Sequence, residues 1–172
     1  MNRLFRSGTS ILWLIAVLAL ALTACGSAAD AEPTPPTVHY GEDICEFCGM
    51  IVSEERHAAA YVTEDGHGHS FDDIGDMVQA HVATQEAVVA LFVHDYEDEA
   101  WIRAETAHYV LSDNLTTPMA SGLAAFTSSQ KAQALAAELQ GQVLTFDELL
   151  TQYRQMAPMT MGDEGEHNSH DQ

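Results

Sequence analysis

Three sulfurs stand close together in the segment Cys45-Glu46-Phe47-Cys48-Gly49-Met50. Thiolate and thioether are soft donors, and soft donors favour Cu(I) over harder cations. Gly49 can take a positive φ and let the loop curl around an ion. A Cys-x-x-Cys pair outside the cytoplasm has three fates open to it: disulfide, redox centre or metal site. A thioredoxin-like redox pair belongs at a strand-to-helix junction within a βαβ pattern. Here the pair follows a Pro-rich stretch, with no long apolar strand before it. A zinc site would need four ligands, drawn from the two Cys and two of His57, His67 and His69. His67 and His69, however, share the turn Asp65-Gly66-His67-Gly68-His69, which is not the usual finger spacing. Met50 also has a plain alternative, in which it begins a strand with Ile51 and Val52 and packs in the core.

The third cysteine, Cys25, has a different setting. Arg3 and Arg6, the apolar run Ile11 to Leu22 and the ending Leu22-Thr23-Ala24-Cys25 describe a secretory signal over residues 1–24. The run is short for a spanning helix. Its ending is similar to the lipobox of bacterial lipoproteins, in which the Cys is lipidated. The expected location is therefore the cell membrane, lipid-anchored, facing the periplasm or cell exterior. Residues 25–42, with Pro33, Pro35 and Pro36, read as a flexible tether.

The 172 residues carry 6 Lys+Arg against 26 Asp+Glu, a formal charge of -20. Such a surface cannot displace counterions from phosphates, so nucleic acid is not an expected partner. A basic patch for anionic lipid is excluded on the same ground. No enzyme is expected. The acid pairs Glu54-Glu55 and Asp72-Asp73 are adjacent and read as caps and solvated faces, and neither a Gly-rich phosphate loop nor a nucleophile elbow is present.

The elements that must position the sulfurs follow from periodicity. Ala58 to Val62 suits a strand, Asp65-Gly66 a hairpin turn, and His69-Ser70-Phe71 a second strand. Asp72 or Asp73 then caps a helix whose Ile74, Met77, Val78 and His81 share one face. Ala87 to Val93 is a buried strand. The pattern returns with strands at Ala107–Leu111 and Gly122–Phe126. A helix at Lys131–Gln140 follows, expected to start from a Thr127/Gln130 capping box and to stop at Gly141. A strand at Gln142–Phe146 and a last helix at Asp147–Gln155 complete it. The order strand, strand, helix, strand thus occurs twice, with Phe71 and Phe126 in equivalent places. The expected fold class is α+β, two ββαβ units forming one small domain over 43–155. The tail 156–172, with Met156, Met159, Met161, His167 and His170, reads as disordered, or as a weak binder of soft metal.

Four pieces, in their order and spacing, resemble the NosL family, lipoprotein copper chaperones that serve nitrous oxide reductase assembly. They are the ending at Cys25; Asp43-Ile44-Cys45-Glu46-Phe47-Cys48-Gly49-Met50-Ile51; Asp95-Tyr96 and Trp101-Ile102 with Ala104, Ala107, Tyr109 and Val110; and Pro118-Met119 followed by Ala124-Ala125-Phe126. The resemblance runs over about residues 43–146. It implies Cu(I) held by a Cys of the Cys45/Cys48 motif, by a Met at the place of Met119 and by a further ligand. It also implies the two-unit fold and a partner that receives copper, nitrous oxide reductase or its membrane assembly complex. The expected metal residues are Cys45, Cys48, Met50 and Met119, with His67 and His69 as accessory candidates. The alternative reading is a thiol–disulfide protein acting through Cys45 and Cys48.

Overall fold

The computed structural model describes residues 32–156. The expected signal segment, Cys25 and the Met/His tail beyond Met156 lie outside the described residues. Strands β1 (Ala59–Thr63) and β2 (Gly68–Phe71) form the expected hairpin. Helix α1 (Ile74–Ala83) starts at Asp73, whose carboxylate accepts the Gly75 N–H, and it buries Ile74, Met77 and Val78. Strand β3 (Val88–His94) returns beside β1, and β4 (Trp101–Arg103) adds to its far edge. This antiparallel sheet has the order β2-β1-β3-β4.

The second unit repeats the plan. Strands β5 (His108–Leu111) and β6 (Leu123–Phe126), helix α2 (Ser129–Leu139) and β7 (Gln142–Leu144) give a sheet of order β6-β5-β7. Helix α3 (Phe146–Met156) closes the domain. In both units the first strand lies between the second and third. Phe71 pairs with Ala59, the first residue of β1, and Phe126 with His108, the first of β5. The two ββαβ units are therefore present, with β4 as an addition to the first.

Strand alternation explains the core. Tyr109 of β5 joins Tyr61, Phe71, Ile74, Met77 and Leu149 in the main cluster. Its neighbour Val110 points the other way, to Ala124, Phe126, Ala132 and Ala136 under α2. Asp95 fastens one unit to the other. It bridges Ala125, and its Oδ2 accepts the Thr127 N–H at 2.8 Å. Burial pushes its pKa up, but the N–H donors of Thr127 and Glu97 outweigh burial and hold the carboxyl below its ordinary range.

Both ends of α2 differ from those expected. Ser128, not Thr127, is the N-cap, and it makes no side-chain capping bond. At the other end Gln140 takes the left-handed position (φ 54), one residue before Gly141. Gly141 instead lies against β5, where the Leu111 carbonyl oxygen would be 2.6 Å from a Cβ.

The packed domain begins before residue 43. Val38 and Tyr40 lie against the main cluster, and Pro36 sits on β2 at Gly68. His94 Nδ1 donates to the Glu99 carbonyl at 2.6 Å, so its Nε2 is left to accept the Tyr40 hydroxyl at 2.7 Å. Burial lowers the His94 pKa, which keeps it neutral for that role. Among the described residues no helix is long and apolar enough to cross a membrane.

Candidate metal centre

Residues 41–52 fold back on themselves ahead of the first unit. Gly41 N–H donates to the Val52 carbonyl at 2.8 Å, Val52 N–H to Asp43 at 2.9 Å, and Cys45 N–H to Met50 at 2.7 Å. Gly49 closes the turn at φ 75 and donates to the Cys45 carbonyl at 2.9 Å. A side chain at that φ would be strained. The tip is held to β2 by Glu46, whose N–H donates to the Ser70 carbonyl at 3.1 Å and whose Oε2 meets His69 Nδ1 at 2.7 Å. The exit is held by Asp72 Oδ1, which accepts the Ser53 N–H at 2.8 Å.

This folding turns both thiols toward α1. Cys45 is buried and Cys48 half-buried, and neither is in a disulfide. The two Sγ atoms and a carboxylate oxygen of Asp76 lie within 4.8 Å of one another. The Cys45 thiol donates to Asp76 Oδ2 at 3.4 Å. Asp76 comes from the first turn of α1 and is only 3% exposed. Among the described residues this is the one such grouping of three His, Cys, Asp or Glu donors.

Cys48 and Asp76 resist charge. Burial first, then the Asp76 carboxylate, and more weakly the Cys45 thiol, push the Cys48 thiol up to about 12, against the pull of the Met50 backbone. Burial also raises the Asp76 pKa, with Asp73 and Asp72 adding to it, although the thiol hydrogen bonds from Cys48 and Cys45 pull it down. A cation entering here would meet protonated sulfur and displace the proton.

The raised pKa of Asp76 implies a cost to the folded protein above that pKa. Its folded-state pKa is raised, so its contribution to stability is full at acid pH and lost as pH rises through that pKa. Asp76→Asn is therefore expected to raise the melting temperature of the metal-free protein at neutral pH by a few degrees. It should also flatten the acid side of the stability profile. Calorimetry across pH checks this, and a lower melting temperature at neutral pH would show the carboxylate to be net stabilising.

The structure distributes the other expected residues unevenly. Met50 is 53% exposed, so the alternative that packs it in the core is corrected: its carbonyl serves the turn and its side chain faces out. Met119 is 37% exposed on the loop between β5 and β6. Its N–H donates to Asp73 Oδ2 at 3.0 Å, and the Thr117 hydroxyl donates to the same oxygen at 2.6 Å. Gly75 permits this approach, because a Cβ there would fall 2.6 Å from Ser121 Cβ and 2.8 Å from the Tyr153 hydroxyl. Met119 is thus tied to the helix cap three residues before Asp76. His69 touches the thiol hairpin through Glu46 and stacks on Tyr61 with ring centroids 4.7 Å apart. His67 stays in the exposed turn beside Asp65, away from that contact.

Sequence reasoning missed Asp76, because an acid in a first turn is what a helix dipole favours. One signal was present: Asp72, Asp73 and Asp76 are more acid than one cap requires.

A two-unit α+β domain that brings two free thiols and a buried carboxylate within 4.8 Å of one another has a donor set that could hold a metal ion, with the two sulfurs as its soft members. The chain belongs to the NosL family, which it matches over residues 36–154. It is 30% identical over 188 residues to the copper-binding lipoprotein NosL of Stutzerimonas stutzeri, covering 99% of this chain and 98% of that one. Its fold resembles the crystal structure of the copper chaperone NosL from Shewanella denitrificans, with a TM-score of 0.62 and 21% identity. That match covers 68% of this chain and 96% of the other.

Proposed function

We propose that this chain is a Cu(I) carrier, lipid-anchored through Cys25 on the outer side of a cell membrane, that delivers copper to nitrous oxide reductase or its assembly complex. Cys45 and Cys48 supply thiolates, Met119 a thioether, and Met50 a sulfur at the exposed rim. The observation that carries this reading is the pair of free thiols that share a 4.8 Å cluster with Asp76. The names of the two relatives support copper as the cargo. Sulfur donors give selectivity for Cu(I). A partly exposed thioether can leave first, so that an incoming donor takes the ion by stepwise exchange. Ile44, Phe47, Met50 and Ile51 are exposed on the same hairpin, an apolar surface that suits a docking partner. Anchoring raises the effective concentration of carrier beside a membrane-bound receiver without new contacts.

The thiol–disulfide alternative fits less well. Reactive thiols sit in electropositive, partly exposed surroundings, whereas Cys45, the first of the pair, is buried and both thiols lie beside the Asp76 carboxylate.

The test is an anaerobic Cu(I) titration of the reduced protein against a chromophoric chelator, with excess zinc present. One tightly bound Cu(I) per chain that zinc does not displace is expected. Loading displaces the proton of each thiol that ligates, so with two thiolates the apparent affinity should fall about a hundredfold for each pH unit below neutral. A fall of only about tenfold per unit would leave a single thiolate in the site. Affinity that does not change with pH would remove the thiolate, and loss of copper to zinc would remove the reading.

A further inference from the structure

We infer that Asp73 is a positioning residue for the metal centre: it latches the Met119 loop onto the helix that presents Asp76, and so fixes where the thioether stands relative to the thiols. The inference rests on the proposed role of Met119 as a ligand.

A helix cap needs one acceptor oxygen. Asp73 Oδ1 meets that need alone, by accepting the Gly75 N–H at 2.7 Å. Its second oxygen, Oδ2, is free of the helix and accepts two donors from one distant loop, the Thr117 hydroxyl and the Met119 N–H. Those partners are 44 and 46 residues away in sequence. Asp73 is 1% exposed, and a carboxylate at such depth is costly unless its oxygens are filled. All three donors are neutral N–H or O–H groups.

The neighbouring carboxylate faces the other way. Asp72 Oδ1 accepts the Ser53 N–H at the exit of the thiol hairpin. Two adjacent buried acids therefore grip the two donor-bearing segments from one point, the start of α1. The thiol hairpin and the Met119 loop thus share this helix end as a common anchor. The loop also carries its own strain: Ala120, next to Met119, sits at φ 56. A non-glycine residue there has to be held by bonds from outside it. The Asp73 latch supplies them on the Met119 side.

A capping role alone and a positioning role differ in what a serine would do. Serine caps a helix about as well as aspartate. Its single oxygen cannot also reach Thr117 and Met119. Asp73→Ser thus keeps the cap and opens the latch. The full chain, reduced and kept under anaerobic conditions, is titrated with Cu(I) against a chelator, and the sulfur neighbours of the bound copper are counted by X-ray absorption. Wild type, Asp73→Ser, Met119→Ala and the double variant are compared.

The expected result is a loss of about 10–100-fold in affinity for Asp73→Ser, the range usual for groups that orient a ligand from behind. One sulfur neighbour should disappear, and adding Met119→Ala should cost nothing more. Wild-type affinity and sulfur count in Asp73→Ser, with Met119→Ala weakened, would overturn the latch and leave Met119 as a ligand. Full affinity in Met119→Ala would remove Met119 from the site, and the inference would fall with it. Should Asp73→Ser not fold, Thr117→Val keeps the carboxylate and the cap and deletes one link. It should also lose affinity and disorder the sulfur shell, and unchanged binding there would overturn the inference equally.

Discussion

Replacing Cys45 and Cys48 together by serine is expected to lower Cu(I) affinity by about a thousandfold or more, equivalent to about 4 kcal/mol. Serine has nearly the shape of cysteine but offers a hard, protonated oxygen in place of a soft thiolate. The fold should survive the exchange. Cys45 sits in the main cluster, yet its sulfur already donates to Asp76 Oδ2, and a hydroxyl at that position has the same acceptor waiting. Chelator competition measures the affinity and thermal unfolding measures the fold. The single variants divide the effect between the two thiols. Affinity retained in the double variant, with the melting temperature unchanged, would move the copper to the thioethers and His69.

The second large effect concerns stability. Phe71→Ala is expected to cost about 3–5 kcal/mol, a large part of the 5–15 kcal/mol that holds a typical domain together. Phe71 is fully buried, and its ring lies 5.2 Å from that of Tyr61. It also precedes Asp72 and Asp73 directly, so a cavity there undercuts the start of α1. Phe126→Ala, at the same place in the second unit, should cost a similar amount through the smaller cluster under α2. Urea unfolding of both variants checks the pair. A cost below about 1 kcal/mol at either site would mean that the neighbouring side chains close the gap.

The elements that were legible in the sequence are those set by local physics. An N-cap at Asp72 or Asp73, the spacing of Ile74, Met77 and Val78, and the Asp65-Gly66 turn all act within a few residues of one another. The doubling of the ββαβ plan followed from them. Details set by distant contacts were not legible. Thr127 looks like a cap in sequence, but Asp95 takes its N–H. Gly141 looks like a helix stop, but it makes room for β5, and Gln140 turns the corner instead. The site divides in the same way. Cys45 and Cys48 are near neighbours, and their chemistry is visible in the letters. Asp76 joins them across 31 residues of chain, through a fold that has to form first.

The repeated strand order shows where the two units differ. In the first unit β1 and β2 are joined by the tight turn of residues 64–67, whereas in the second the equivalent connection is the loop 112–122. The thiol hairpin precedes the first repeat, and the second repeat starts with no such extension. Both sulfur-bearing segments are therefore departures from the shared plan. The repeat supplies the frame, and the segments that break its symmetry supply the sulfurs.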